Sequence, residues 1–467
     1  MEIIKPSIPK GTRDFLPEQM LRRQFVINTI RTIFEKYGYE PLETPSFEKL
    51  EVLSGKFGEE SEQLILKLLK RGTGIEKVGR DIKEFTISKF SDLVDEALRY
   101  DLTVPLCRVI AMYQNEITIP FKRYQMQPVW RGDRPQKGRY REFYQCDADT
   151  VGSASILADA ETIALINEIL ITLGFEKFKI RINNRKILSG IVEYSGVDVN
   201  RSNEVCIAID KLEKIGIDGV KQELLEREIP EAAINKMLPI LEISGEAETI
   251  LNDVSSLLNS TEIGMEGIAE IKELISYIPT MGVPQQNYVI DLYLARGLNY
   301  YTGPIYESIV EEPNIGSLTG GGRYDELVGM FLGKNIPATG TTIGIERIID
   351  VMTELDMLPK TKTTSQVLVT VFDEYTKKHS LNLVKDLRKA GINSEIFFGT
   401  DGLKKQFNYA NKKGIPFVAV IGPEEVEKKE VSLKNMTTGE QERIKTEDII
   451  KYLASQVEDT PVFWSIN

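Results

Sequence analysis

QMQPVWRGDRPQKGRYREFYQCDADT, residues 125–150, decides how this 467-residue chain folds. Two runs with strand character flank a basic loop holding Gly132, Pro135 and Gly138, so the stretch reads as one long hairpin. Side chains alternate faces along a strand, which puts Arg141, Phe143, Gln145, Asp147 and Asp149 on one side and Tyr144, Cys146 and Ala148 on the other. Across the hairpin, Arg131 shares its face with Val129 and Gln127. One face is packed, and the other mixes an aromatic ring with both signs of charge. Such a face is either a solvated edge or a nucleotide site. In a nucleotide site arginine grips phosphate bidentately, the Phe143 ring offers a stacking plane, and carboxylates accept hydrogen bonds from substrate nitrogens.

Working outward, residues 17–37 carry an apolar stripe (Leu21, Phe25, Ile27, Ile30, Ile33, Phe34) at helical spacing, with Gly38 as the stop. Residues 98–149 alternate short apolar runs with turn signals and read as strands, and 155–172 return to a helical pattern. Residues 195–280 are acidic, rich in Leu, Ile and Glu and nearly free of strand signals, which predicts a helical insertion. Strand patterns resume over 287–309 and near 340, so one antiparallel sheet built from both sides of the insertion is the economical solution. ELDMLPKTKTTS, 354–365, reads as a linker. Beyond it VLVTVF, EIFF and FVAVIG alternate with helical patterns at 376–390 and 402–413, the mark of a small α/β domain.

Composition limits the chemistry. Hydrophobic residues make up 42% and charged residues 27%, as in an ordinary globular protein. No apolar run approaches the roughly 20 residues that span a bilayer, and the start, MEIIKPSIPKG, has no signal-peptide core, so a cytoplasmic location without membrane contact is expected. Cys107, Cys146 and Cys206 share no CxxC spacing, and His379 is the one histidine. No metal site built from Cys or His, no Ser-His-Asp triad and no Cys-His pair is therefore expected. His379 itself is given no site role. The formal charge of -12 is unevenly spread. Residues 195–280 hold 7 basic against 17 acidic groups, whereas 121–141 hold 7 basic against one acid and 362–457 hold 16 against 13. Two basic regions are left to meet a polyanion.

Three further clusters stand out. In LARGLNYYTGPIYE, 294–307, Arg296 ends an apolar strand, where a cation is costly unless paired or anion-bound. In GSLTGGGRYDELVG, 316–329, the run Gly320 to Gly322 reads as a plain turn or as a close approach of backbone to ligand. In TGTTIGIERIIDVM, 339–352, Arg347 falls in the first turn of a helix and off its core stripe. It is either solvated or sharing an anion at the helix start. No GxGxxG occurs, and Gly329–Asn335 is one residue short of a P-loop and lacks its Ser/Thr.

Together these segments resemble the signature motifs of class II aminoacyl-tRNA synthetases, and specifically the histidyl-tRNA synthetase family, through nearly the whole chain. GYEPLETPSFE with Pro45 is similar to the dimer-forming first motif, the 125–150 hairpin to the second and TIGIERI to the third. LRYDLTVPL, RPQKGRYREFYQCDADT, LARGLNYYTG and GGGRYDELV resemble the histidine-specific segments. The resemblance implies an α+β fold: a class II antiparallel-sheet catalytic domain (1–194 and 285–354) with a helical insertion (195–284). A linker (355–365), an α/β anticodon-binding domain (366–457) and a tail (458–467) would follow. It also implies a histidine–tRNA ligase that activates L-histidine with ATP and Mg2+ and charges tRNA(His), working as a cytoplasmic homodimer.

Carried over by position, the resemblance makes Arg131 and Arg296 the catalytic arginines on the α-phosphate. Asp133, Arg139, Arg141, Phe143 and Arg347 join Arg131 around ATP, with Phe143 under adenine and Arg347 on the γ-phosphate. Asp101, Thr103, Gln145, Asp149, Tyr300, Tyr301 and Tyr324 surround histidine together with Arg131 and Arg296, while Gln136 and Arg139 approach the tRNA acceptor end. Asp101 and Asp133 stand where many bacterial members have Glu, and Asn299 where Asp is usual. Two other readings use the same motifs: a non-catalytic regulatory paralogue of the synthetase, and a class II ligase for another amino acid.

Overall fold

The computed structural model describes residues 4–55, 62–70, 93–136, 138–296, 300–399 and 401–457. Asn299 and the expected tail at 458–467 lie outside them. Helix α1, Pro17–Lys36, begins with proline, whose missing amide is no loss at a first helical position. Ile30, Ile33 and Phe34 are buried along it, and Gly38 ends it in the left-handed region at φ 76°. Strands β1 (Glu40–Pro41), β2 (Phe47–Lys49), β3 (Lys67–Leu69) and β4 (Val94–Leu98) follow. Next come helix α2 (Thr103–Met112), strands β5 (Phe121–Trp130) and β6 (Glu142–Val151), helix α3 (Ile156–Thr172), strand β7 (Lys179–Asn184) and helix α4 (Arg185–Tyr194). The acidic stretch is helical among its described residues: α5 (Ser202–Ile209), α6 (Leu212–Glu226), α7 (Glu231–Leu241), α8 (Ala247–Leu257) and α9 (Glu262–Tyr277). Strands β8 (Tyr288–Ile290), β9 (Pro304–Ile309), β10 (Thr319–Arg323) and β11 (Ala338–Ile343) lead to helix α10 (Ile345–Glu354).

The described residues divide into two compact units, 4–13 with 29–357 and 14–28 with 358–457. The first is built on an eight-stranded sheet in the order β1-β5-β6-β11-β10-β9-β7-β8. Its interior pairs are antiparallel, whereas β1 beside β5 and β7 beside β8 run parallel at the edges. The hairpin forms over the expected stretch, with Arg123 opposite Asp149, Gln125 opposite Asp147, Gln127 opposite Gln145 and Val129 opposite Phe143. β7 precedes the helical stretch and β9 follows it, yet the two pair, so the sheet is assembled from both sides of the insertion. α9 lies so close on α4 that a Cβ on Gly190 would come within 2.5 Å of the Gly264 backbone.

Three local expectations fail. Thr103–Met112 is a helix inside the stretch read as strands. The Asp101 carboxylate accepts the Val104 amide at 3.1 Å, and Pro105 falls in the first turn, where its missing amide is tolerated. Gly320 to Gly322 lie within β10 in the middle of the sheet rather than in a turn. Bulky neighbours occupy the space their side chains would fill, including the Tyr306 ring against Gly321. Arg296 ends no strand: it sits beyond β8 in a turn, itself at φ 54°.

The second unit adds strands β12 (Val367–Val369), β13 (Ser394–Ile396), β14 (Phe417–Val420), β15 (Glu430–Asn435) and β16 (Gln441–Lys445), in the order β13-β12-β14-β15-β16. The first three are parallel, and β14 to β16 form an antiparallel extension that the α/β pattern did not anticipate. Both faces are covered. Val367 and Val369 pack with Leu383 and Leu387 of helix α11 (Lys377–Lys389), while Leu368 packs with Ala410 of helix α12 (Leu403–Lys413). Period-two alternation with apolar residues on both sides is what a buried parallel strand requires.

Candidate active site

A cleft of about 960 Å³ opens over the first unit's sheet, lined by the β5–β6 loop, the start of α2, Arg296, Tyr300 and Tyr301, and the start of α10. Arg131 enters it from the end of β5, where its amide still pairs with the Arg141 carbonyl at 3.0 Å. Its Nε donates to the Tyr100 carbonyl at 3.1 Å, and its guanidinium lies 4.3 Å from the Tyr100 ring centre and 5.1 Å from that of Phe143. The side chain is held on two rings and one carbonyl, which leaves its terminal nitrogens toward the cleft. Asp133 and Arg139 line the same space from the loop. Arg141 is not among the lining side chains: its Nε donates to the Asp133 carbonyl at 3.2 Å and braces the loop. Gln136 is exposed and pairs through its backbone with Arg139 at 2.9 and 3.1 Å, closing the loop tip.

Arg296 faces Arg131's side of the cleft from a different element. Its Nη1 donates to Glu307 at 3.2 Å, and its guanidinium lies flat over Gly320, where any Cβ would fall 2.1 Å from Nη1. The glycine is therefore the bed of the arginine. Arg347 is the third residue of α10, and its Nη1 donates to the Ser317 carbonyl at 2.8 Å. Burial, followed by the like charge of Arg139 and then those of Arg131 and Arg296, pushes its guanidinium below the ordinary value, with Glu307 opposing. Four guanidiniums thus converge on one volume, an arrangement that stores positive potential for a polyphosphate.

The deeper end is acidic. Asp149 accepts a short hydrogen bond from the Tyr324 hydroxyl and pairs with the buried Arg123 at 2.9 Å. Gly340, opposite Asp149 on β11, leaves room for its carboxylate, since a Cβ there would lie 2.1 Å from Oδ1. Gln145 donates to Thr342 at 3.1 Å. One oxygen of Asp101 has no hydrogen-bond partner, and burial pushes this carboxyl up to about 6 although Arg131 and Arg123 pull it down. Asp147, one step along β6, is pushed up to about 8, by burial first and by Asp149 as well. The Tyr300 and Tyr301 rings meet tilted at 52° with centres 4.8 Å apart, Tyr324 lies edge-on 6.0 Å from Tyr300, and burial raises the hydroxyls of Tyr300 and Tyr324 well above the usual range. Asp101, Thr103, Gln145, Tyr300 and Tyr301 reach the cleft surface, while Asp149 and Tyr324 lie beneath it.

Several residues of the site were not singled out from sequence. Arg123 shares the hairpin's chemically loaded face, and extending the alternation from Gln127 through Gln125 reaches it. Glu307 follows Arg296 by 11 residues on β9. Glu204, Asp210, Lys211 and Arg227 bring the helical stretch into the cleft wall, and no motif marks them. Among the described residues no group of three or more His, Cys, Asp or Glu side chains is placed to hold a metal ion.

The chain is similar to known proteins along most of its length. The family model for Histidyl-tRNA synthetase matches residues 11–348, and that for Anticodon binding domain matches 366–456. The histidine–tRNA ligase of Cytophaga hutchinsonii is 45% identical over 451 residues, 96% of this chain and 99% of that protein. The corresponding ligase of Bacteroides fragilis is 45% identical over 453 residues, 96% and 98% of the two chains. The crystal structure of histidyl-tRNA synthetase from Nostoc sp. PCC 7120 matches with a TM-score of 0.82 at 34% identity, over 97% of this chain and all of that one. With the family model covering most of its length, this chain belongs to the histidyl-tRNA synthetase family.

Proposed function

We propose that the protein is a histidine–tRNA ligase working through this cleft. A carboxylate oxygen of histidine attacks the α-phosphorus of ATP, the bond to pyrophosphate breaks, and histidyl-adenylate forms. The terminal ribose hydroxyl of tRNA(His) then attacks the carbonyl carbon and AMP leaves with the bonding electrons. The observation that carries this reading is the convergence of Arg131, Arg296 and Arg347, from three separate elements, on a cleft whose deeper end is acidic. Adenylation gathers charge on a pentacoordinate phosphorus, and donors fixed beforehand stabilise it without reorganising. Arg131 and Arg296 would flank the α-phosphate and Arg347 would hold the γ-phosphate, with Phe143, Asp133 and Arg139 around the nucleoside and Arg141 bracing their loop.

Histidine would bind deeper, its ammonium near Asp101, Thr103 and Gln145 and its ring among Tyr300, Tyr301 and the Asp149–Tyr324 pair. A site that hydrogen-bonds both ring nitrogens rejects side chains that leave its buried groups unpaired. Mg2+ keeps much of its water and binds through one or two carboxylates plus phosphate oxygens. Glu307, beside Arg296, is one of the cleft carboxylates that would hold the ion, and the ion would spread the charge of the departing pyrophosphate. Gln136 and Arg139 would meet the tRNA acceptor end, and residues 366–457 the anticodon. The domain division given above, the homodimer through the Pro45 motif and the cytoplasmic location belong to the same reading. A regulatory paralogue has no need of three aimed arginines together with an anticodon-binding domain. The test is charging of a tRNA(His) transcript with labelled histidine; a folded protein that transfers no histidine with ATP and Mg2+ present would falsify the assignment.

A further inference from the structure

Arg296 occupies the left-handed region, unusual for a residue with a side chain. Such a conformation persists only where its surroundings hold it. Two side chains at the β7–α4 junction do so. Asn183 is fully buried, and its Nδ2 donates to the Leu292 carbonyl at 3.1 Å and the Leu294 carbonyl at 2.9 Å. Arg185, the first residue of α4, is 6% exposed. Its Nη1 donates to the Ala295 carbonyl at 3.1 Å and reaches the Arg296 carbonyl at 3.4 Å, and its Nη2 makes a short hydrogen bond to Oδ1 of Asn203 on α5. Each of these acceptors is neutral. Burying a cation is expensive, and a cation spent on neutral oxygens returns little stability by itself. What the fork provides is geometry, since one rigid guanidinium spans two elements that lysine's point charge cannot bridge.

We propose that Arg185 is a positioning residue for adenylation, tying the turn that carries Arg296 to helix α5 and so fixing where the Arg296 guanidinium lies over Gly320. This rests on the reading of Arg296 as an α-phosphate ligand. The helix at the far end of the tie also supplies Glu204 and Ile207 to the cleft wall, and Asp210 just past its end. The tie therefore sets the position of that wall and of the arginine together. Asn203 is exposed, so removing its amide leaves the core untouched.

The experiment is histidine-dependent ATP–pyrophosphate exchange on the full chain, with Arg185→Lys, Asn203→Ala, Arg296→Ala and the double variant Arg185→Lys/Arg296→Ala, each checked by thermal melting. Displacing a catalytic group by an ångström costs about 10²-fold. Arg185→Lys should lower kcat by about tenfold to a hundredfold with KM for ATP and histidine within about twofold. Asn203→Ala should move kcat the same way by less. The double variant should be no slower than Arg296→Ala alone, because a residue acting through another adds nothing once that one is gone. Losses that multiply in the double variant overturn the proposal, as does a wild-type rate for both Arg185→Lys and Asn203→Ala beside a slow Arg296→Ala. If Arg185→Lys does not fold, Asn203→Ala with and without Arg296→Ala carries the same comparison. A wild-type rate for Arg296→Ala would instead remove the role of Arg296 itself, and the positioning role with it.

Discussion

Replacing Gly320 by alanine places a single methyl group beneath the guanidinium of Arg296. An ideal Cβ there lies 2.1 Å from Nη1 and 2.6 Å from both Cζ and Nη2, whereas ordinary contact begins at 3.4 Å. The guanidinium must therefore lift by about 1.3 Å, which breaks its 3.2 Å bond to Glu307 and takes it off the line it would share with the α-phosphate. A shift of that size costs about 10²-fold in kcat, or about 2.7 kcal/mol at 1.36 kcal/mol per tenfold. The backbone raises no objection, since Gly320 is not in the left-handed region, and exchanging glycine for alanine within a strand is worth about 0.5–1 kcal/mol in favour of folding. The lost bond to Glu307 offsets that gain, so Gly320→Ala should still fold and melt cooperatively while exchanging pyrophosphate about a hundredfold more slowly. A wild-type exchange rate in a folded Gly320→Ala protein would refute the idea that the placement of Arg296 controls the chemistry.

Asp149→Asn leaves a neutral acceptor beside Tyr324 and Arg123, so KM for histidine should rise about tenfold or more while KM for ATP holds; equal losses for both substrates would contradict the imidazole role. Arg347→Ala removes a charged donor worth about 1.5–3 kcal/mol, which should raise KM for ATP at least tenfold at unchanged KM for histidine, and the reverse pattern would reassign it. Asp101 and Asp147 titrate higher in the folded chain, at about 6 and about 8, than the 3.8 of a free aspartate. The folded state then holds protons that the unfolded chain releases, and these groups stabilise most below about pH 4 and lose that contribution as pH rises toward 8. The melting temperature of the unliganded protein should fall between pH 6 and 8, and Asp147→Asn should flatten that fall; a variant as steep as the parent would show that Asp147 is not its source.

Much of this was readable in the chain. The hairpin was legible because two ten-residue runs on either side of a Gly/Pro loop leave one register, and of its polar face Phe143 and Gln145 line the cleft while Asp147 and Asp149 lie beneath it. The helical insertion and the α/β alternation after 365 were legible from period alone. Helix α2 was not, because VPLCRVIA is a short apolar run whose length suits a strand or a buried helix equally. The glycines of β10 misled for a different reason. Their composition signals a turn, yet their function is to leave room for Arg296 and Tyr306, which reach them from other strands and turns. The cleft wall from α5 and α6 and the Arg185 tie depend on helices packing against residues roughly a hundred positions away, as with Arg185 and Ala295, 110 apart. No local pattern encodes such a contact.

Exchange of labelled pyrophosphate into ATP, run with each of the twenty amino acids in turn, tests most directly whether an arginine-lined cleft with an acidic, tyrosine-lined floor activates histidine. Exchange with histidine alone, abolished or nearly so in Arg131→Ala, is the expected result. Exchange that depends on a different amino acid, or that persists undiminished without Arg131, would contradict it.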